Sequence, residues 1–290
     1  MNMRQTTIIF LIAALACAGI FSSSALYAEQ KNFIQIKGSD TMVNLGQAWA
    51  EEFNKIHPDV NIAVTGGGSG TGIAALINGT CDVAECSRAM EPKEMEQARL
   101  QGVTPHQEIV ARDGIAVVVS PKNPVKNLTV DQLRDIFMGT VKNWKEVGGD
   151  NIPIVILSRE VNSGTHLFFK EHVLRRGNAK GPEEFSPFAL LMPSSQAIAD
   201  EVSQNENAIG YYGMGYINPA QKVIAVAKEA SSSYLEPTLE NVRAGTYPIS
   251  RPLYLYTNGI PSGIVKDFVD FVFSPQGQEI VKKIDFVPIR

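Results

Sequence analysis

Four short polar phrases in this chain could grip an anion. Gly38-Ser39-Asp40-Thr41 follows an apolar run and opens a helical pattern, and Gly66-Gly67-Gly68-Ser69-Gly70-Thr71-Gly72 does the same. Ser163-Gly164-Thr165 is a third such start. Each sets hydroxyl donors and bare backbone N–H groups where a helix begins, and there the first N–H groups lack intrahelical partners and the dipole is positive. Glycine lets the backbone approach a ligand closely and fold around its oxygens. The fourth phrase is Ser87-Arg88, and Arg159 stands four residues before Ser163. A guanidinium gives one oxyanion two parallel hydrogen bonds, which a lysine cannot do. Three helix starts, two arginines and a set of hydroxyls make a donor-rich cage for a tetrahedral anion.

Each phrase alone has a plainer reading. Ser, Asp and Thr at helix starts are ordinary caps, a glycine run is a turn, and arginines are commonly surface ion pairs. Repetition of the same phrase carries the anion reading. Other phosphate motifs fail: Gly72 is followed by Ile73 and not by the Lys of a Walker loop, and Thr71 stands where the dinucleotide fingerprint needs glycine. Thr71 also breaks the hydrolase elbow after Gly67 and Ser69. A secreted phosphatase using Ser69 or Ser163 would lack a neighbouring general base. His57, His106, His166 and His172 have no metal-ligand spacing, so neither a metal nor another cofactor is expected.

The elements that must position these residues alternate. Phe33 to Ile36 reads as a strand, Met42 to Phe53 as a helix (Met42, Leu45, Trp49, Phe53), and Val60 to Val64 as a strand. A glycine-rich turn leads into Ile73 to Ile77, Asp82 to Glu85 makes a third strand, and Ile115 to Val119 is a buried one. Thr129 and Gln132 form a capping box before Val130 to Phe137, with Gly139 past its end. Gly263 to Phe273 is helical, and Pro275 interrupts it. This β-α alternation predicts an α/β fold with largely parallel strands. Two lobes with a cleft between them suit its length, and small ligands favour such clefts.

The 290 residues, 44% hydrophobic and 19% charged, describe a globular chain. Residues 1–28 read as a secretory signal: Arg4, an apolar run from Ile8 to Phe21, then Ala25-Leu26-Tyr27-Ala28. Cys17 lies in that run, but Ala14 stands where a lipobox has leucine, so soluble export is expected over lipidation. Removing the signal takes one of the 26 bases and none of the 30 acids, leaving a net charge of −5. Such a surface argues against nucleic acid, while a buried anion site is governed by local dipoles. Cys81 and Cys86 are separated by about 16 Å if extended, so free buried thiols are expected and not a disulfide.

Read together, Gly38 to Thr41, Gly67 to Thr71, Ser87-Arg88 and Arg159 to Thr165 resemble the periplasmic phosphate-binding proteins of high-affinity ABC uptake systems. Ile136-Phe137 with Asn143-Trp144, Ala208 to Tyr211, and Tyr247 to Leu253 are similar to that family too. The resemblance implies a type II periplasmic binding fold with two α/β lobes joined by a two-segment hinge. The crossings fall near Arg112 to Gly114 and Leu253 to Thr257. Lobe I would then be residues 29–112 plus 257–290, and lobe II residues 113–256. Inorganic phosphate would lie between Ser39, Asp40, Thr41, Ser69, Gly70, Thr71, Ser87 and Arg88 on one side and Arg159, Ser163, Gly164 and Thr165 on the other. The partner implied is the permease of an ABC importer in the inner membrane, with the protein a periplasmic monomer and no enzyme. One departure matters: many relatives have an aspartate near Ser87-Arg88 that accepts the proton phosphate carries and sulfate lacks. A site of donors alone would not reject sulfate. Asp40 is the candidate acceptor, with Glu85 second. Sulfate, molybdate or a phosphonate are the alternative ligands, and an adhesin or sensor the alternative use of the scaffold.

Overall fold

The structure, a computed structural model, describes residues 32–289; the predicted signal and Cys17 lie outside them. In chain order the first half runs β1 (Phe33–Gly38), α1 (Val43–Ile56), β2 (Asn61–Thr65), α2 (Ser69–Ile77), β3 (Val83–Cys86) and α3 (Pro92–Leu100). The long β4 (Pro105–Val119) leads into the second half: β5 (Asn127–Thr129), α4 (Val130–Phe137), β6 (Val155–Arg159), α5 (Gly164–Phe169), β7 (Leu190–Met192), α6 (Ser195–Gln204), β8 (Ala208–Gly213), β9 (Lys222–Ala227) and α7 (Leu239–Arg243). The chain returns through β10 (Ser250–Asn258) and ends in α8 (Gly263–Phe273) and α9 (Pro275–Lys283).

Each half has its own parallel strands. In the first, β1 lies parallel between β2 and β3, while in the second β6 lies parallel between β7 and β8 and β5 parallels β9. Two long strands join the halves. β10 runs antiparallel to β3 and along β4 from Asn258 to Ser250. Beyond that, Ile115 to Val119 of β4 pair antiparallel with β8, and Val117 to Val119 also with β9.

Sequence explains why only half of β4 announces itself. Ile115 to Val119 are fully buried between neighbours on both sides, so they must be apolar throughout. Pro105 to Glu108 lie at the edge of the first sheet, beyond β10, where polar residues protect an edge. The first core is anchored by α1, whose Leu45, Trp49 and Phe53 are fully buried at helical spacing. Phe53 meets Phe268 and Phe271 of α8 edge-to-face, at 5.5 and 5.7 Å between ring centroids. Trp49 Nε1 donates to Gly277 O of α9 at 2.9 Å. The C-terminal helices therefore complete the half that the N-terminal strands begin.

The capping box forms as expected, with Gln132 N donating to Thr129 Oγ1 at 3.1 Å and Thr129 N to Gln132 Oε1 at 2.9 Å. The glycine run is a partial correction, because α2 begins at Ser69 and only Gly66 to Gly68 form the turn. Gly72 is then a helix residue where α2 crosses β1, and any Cβ there would meet Lys37 O at 2.4 Å. Cys81 and Cys86 are free and buried; burial pushes the Cys81 thiol up to about 12 and raises Cys86 as well. Among the described residues no helix is long and apolar enough to cross a membrane.

Candidate anion site

At the first strand end, β1 stops at Gly38, whose positive φ and close approach to Glu85 O, 2.1 Å from an added Cβ, exclude any side chain. Ser39 N then donates to Glu85 O at 2.7 Å, and a 3-10 turn over Asp40–Met42 carries the chain into α1. Ser69 opens α2 after Gly68, itself held by a bond from its N to Gly38 O at 2.8 Å. Ser87 follows β3. From the other half, β6 ends at Arg159, and Ser163 caps α5 by accepting from Thr165 N and His166 N at 3.2 and 3.4 Å.

These ends converge. Ser39 Oγ donates to Ser87 Oγ at 2.9 Å, Ser87 N donates to Ser69 Oγ at 3.0 Å, and the Ser69 and Ser87 hydroxyls lie 3.3 Å apart. Thr41 and Thr165 share a hydrogen bond of 2.9 Å across the two halves. Gly164 faces the serines: a Cβ there would lie 2.3 Å from Ser69 Oγ and 2.6 Å from Ser87 Oγ. All five hydroxyl residues are buried. Buried polar groups are stable only when bonded, and hydroxyls can turn to donate or accept as a ligand requires. The arrangement suits a small ligand rich in acceptor oxygens.

The rim holds the halves together. Asn162 O accepts from Gly70 N at 3.0 Å, and Asn162 Nδ2 donates to Gly67 O at 2.8 Å and Thr71 Oγ1 at 3.2 Å. Thr71 in turn donates to Gly67 O at 2.6 Å. Gly70 and Thr71 thus form the rim contact, and the Ser163 hydroxyl serves as a helix cap.

Both sequence-derived arginines are engaged by acceptors of the protein itself. Arg88 grips Glu94 with two bonds, of 2.7 and 2.6 Å, leaving its Nε buried without a partner among the described residues. Arg159 donates to Ser195 Oγ at 2.9 Å and Pro193 O at 3.1 Å, and pairs with Asp40 Oδ2 at 3.0 Å. Asp40 Oδ2 also accepts from Ser195 N at 2.7 Å, and Tyr216 OH donates to Asp40 O at 2.8 Å. Asp40 is therefore tied to the second half three times over. Glu85 lies differently. Its carboxyl packs against α1 at Gly46, where a Cβ would be 2.3 Å from Oε1; both oxygens are buried without a hydrogen bond among the described residues, and burial pushes its pKa well above the usual carboxylate range. No hydroxyl of the cluster bonds it.

Sequence reasoning missed Arg251 and Asp113. Both are buried, with Arg251 Nε and Nη2 donating to Asp113 Oδ2 at 3.0 and 2.8 Å. Arg251 Nη2 also reaches Thr165 Oγ1 at 2.9 Å and Thr41 Oγ1 at 3.4 Å. Burial pushes the Asp113 carboxyl up, opposed by Arg251 and by the Met214 N–H that Asp113 accepts. The available signal was a charge set beside apolar residues: Asp113 two residues before the run from Ile115 to Val119, and Arg251 between Ile249 and Leu253. His166 is buried against Ser158 Oγ at 3.2 Å, and burial lowers its pKa to about 4, so it is neutral at pH 7. Among the described residues no group of three or more His, Cys, Asp or Glu side chains is placed to hold a metal ion.

This geometry has relatives. The PBP superfamily domain profile matches residues 24–276. Phosphate-binding protein PstS of Pseudomonas aeruginosa strain PAO1 is 36% identical over 87% of this chain and 81% of its own length. The PstS of Bacillus subtilis strain 168 is 32% identical over 97% and 91%. A substrate-binding protein of Clostridium perfringens, solved with bound phosphate, is 33% identical, covers 89% of this chain and all of its own, and superposes with a TM-score of 0.79. An ABC-type phosphate transport receptor from Vibrio cholerae, 31% identical over 88% of this chain and 99% of its own, gives 0.69. These relatives share the fold of this chain at more than 30% identity, and the chain belongs to the PstS family of the PBP superfamily.

Proposed function

We propose that this chain is an exported solute-binding protein that captures inorganic phosphate between two lobes and delivers it to the permease of an ABC importer. The observation that carries the reading is the meeting of Ser39, Thr41, Ser69 and Ser87 from one half with Gly164 and Thr165 from the other. Only a closed molecule assembles that set, so affinity and conformation are linked. The names and bound ligand of the relatives point the same way.

We assign the direct contacts to those six residues and to backbone N–H groups of the α2 and α5 starts, with Gly70 N given to the rim bond with Asn162 O. Thr71 and Ser163 shape the rim and the helix start, and Arg88 and Arg159 supply positive charge from positions fixed by Glu94 and Asp40. The proton of phosphate is accepted by Asp40, which lies at the same junction. Of the described residues, lobe I comprises 32–112 plus the C-terminal segment, and lobe II the chain between. The second crossing falls before Tyr254, because Tyr254 to Tyr256 already pair with β3.

Calorimetric titration of ligand-stripped protein with phosphate, then sulfate, tests the reading. One-to-one phosphate binding without sulfate heat is expected. Asp40→Asn should weaken phosphate binding by about tenfold or more, the scale of one charged hydrogen bond, and narrow the gap to sulfate. Equal binding of both anions by the unmodified protein would overturn the acceptor role, and silence to phosphate would overturn the function.

A further inference from the structure

We infer that Arg251, held by Asp113, is a positioning residue that couples lobe closure to the anion-binding hydroxyls of Thr41 and Thr165. The inference rests on the phosphate reading above.

Its physical basis lies in where the pair stands. Arg251 of β10 and Asp113 of β4 are register partners on the two strands that join the halves, and opposed residues of antiparallel strands share a face. Arg251 is immobilised: Nε and Nη2 both bond Asp113 Oδ2, and its guanidinium lies 5.6 Å from the Phe168 ring centroid. Gly213 at the end of β8 leaves the room this needs, since a Cβ there would meet Thr41 Cγ2 at 2.6 Å and Asp113 Oδ2 at 2.8 Å.

Proton accounting shows what the arginine does. Nη2 carries two hydrogens, one directed at Asp113 and the other at the threonine pair. Thr165 Oγ1 accepts that bond at 2.9 Å, and Thr41 Oγ1 lies 3.4 Å from the same nitrogen. Between the two hydroxyls, 2.9 Å apart, one proton is used. One hydroxyl proton then remains for an anion, and the guanidinium fills acceptor positions that would otherwise compete for it. The arrangement exists only while Thr41, from the first half, and Thr165, from the second, both stand beside one nitrogen. When the lobes separate, Arg251 can follow only one of them. Among the described residues Arg251 Nη1 is buried with no partner.

The test replaces both charges together, Asp113→Asn with Arg251→Gln, so that no buried charge is left unpaired. Arg251→Lys is the companion, since it keeps a cation beside Asp113 but cannot also reach two hydroxyls. Nitroxide labels on Lys93→Cys and Asp200→Cys, exposed positions in the two halves, report the interlobe distance. With saturating phosphate the parent should give one narrow distance. Both variants should melt like the parent without ligand, bind phosphate on the order of tenfold to a hundredfold more weakly, and keep a broad distance distribution at saturation. Thr165→Val should lower affinity by itself and add little to the double replacement. Variants that close to the parental distance with affinity within about threefold of the parent would overturn the coupling alone. A parent that neither binds phosphate nor closes would overturn the phosphate reading, and the coupling with it.

Discussion

Glu85 is a carboxyl facing Gly46 with neither oxygen bonded among the described residues, and its consequence is a pH dependence with a definite sign. Burial raises its pKa well above 4.5 in the folded protein, so the native state holds a proton that the unfolded chain releases. Its contribution to stability is complete below about pH 4.5 and is lost as the pH climbs toward the folded pKa. Glu85→Gln, which cannot ionise, should therefore gain on the parent between pH 5 and pH 8, by about 1.4 kcal/mol per pH unit while Glu85 titrates only in the unfolded state. Paired thermal melts at the two pH values measure this, and a gap independent of pH would mean that Glu85 is ionised and paired. Residue identities at the site were legible to different degrees. Ser39, Thr41, Ser69, Ser87 and Thr165 could be read because each lies just beyond a strand or at a helix start. The partners of Arg88 and Arg159 could not, because Glu94, Asp40 and Ser195 reach them only through tertiary placement.

Gly164 makes the start of α5 the element on which closure turns. A methyl group there would collide with Ser69 and Ser87, both from the opposite half, while alanine suits a helix at least as well as glycine. Gly164→Ala should leave the ligand-free melting temperature unchanged or slightly raised, yet weaken phosphate binding by about tenfold to a hundredfold, the scale of an overpacked contact. Titration calorimetry beside a ligand-free melt separates the two effects, and affinity within about twofold of the parent would place the ligand elsewhere. Among the elements, α1, α4 and α8 were readable because their apolar spacing and caps are local properties. The first half of β4 and all of β10 were not, since strands that trade partners along their length mix edge, core and crossing character within a few residues. The start of α2 was hidden for another reason: four of its residues, Ser69 to Gly72, are poor helix formers, and one of them, Gly72, is required because the helix must pass Lys37 O.

At the scale of the molecule, phosphate should act as a stabiliser of the native state. Binding at a hundred times the dissociation constant adds about 2.7 kcal/mol, which for a chain of this size raises the melting temperature by about 5–10 °C. Scanning fluorimetry with phosphate against sulfate reads this directly, and an equal rise with both anions would count against discrimination. The halves are joined by β4 and β10, whose register shifts at Leu253/Tyr254 beside the crossing. Such an irregularity bends a strand and interrupts its ladder, so the bend needed for opening is already present there. Two α/β halves could be foreseen from the alternation of strands and helices, but the pairing of β10 with both β3 and β4 depends on residues more than a hundred positions apart.

The buried cysteines have a practical corollary. Cys81, with its pKa near 12, and Cys86, raised further, carry almost no thiolate at neutral pH, and the thiolate is the form that reacts. A new cysteine at Val161, exposed beside the Asn162 bridge, would meet a maleimide dye without competition from either. The dye would sit where the two rims touch, and its emission would track the arrival of phosphate in real time, making the molecule a reagentless optical probe with both buried thiols left in place.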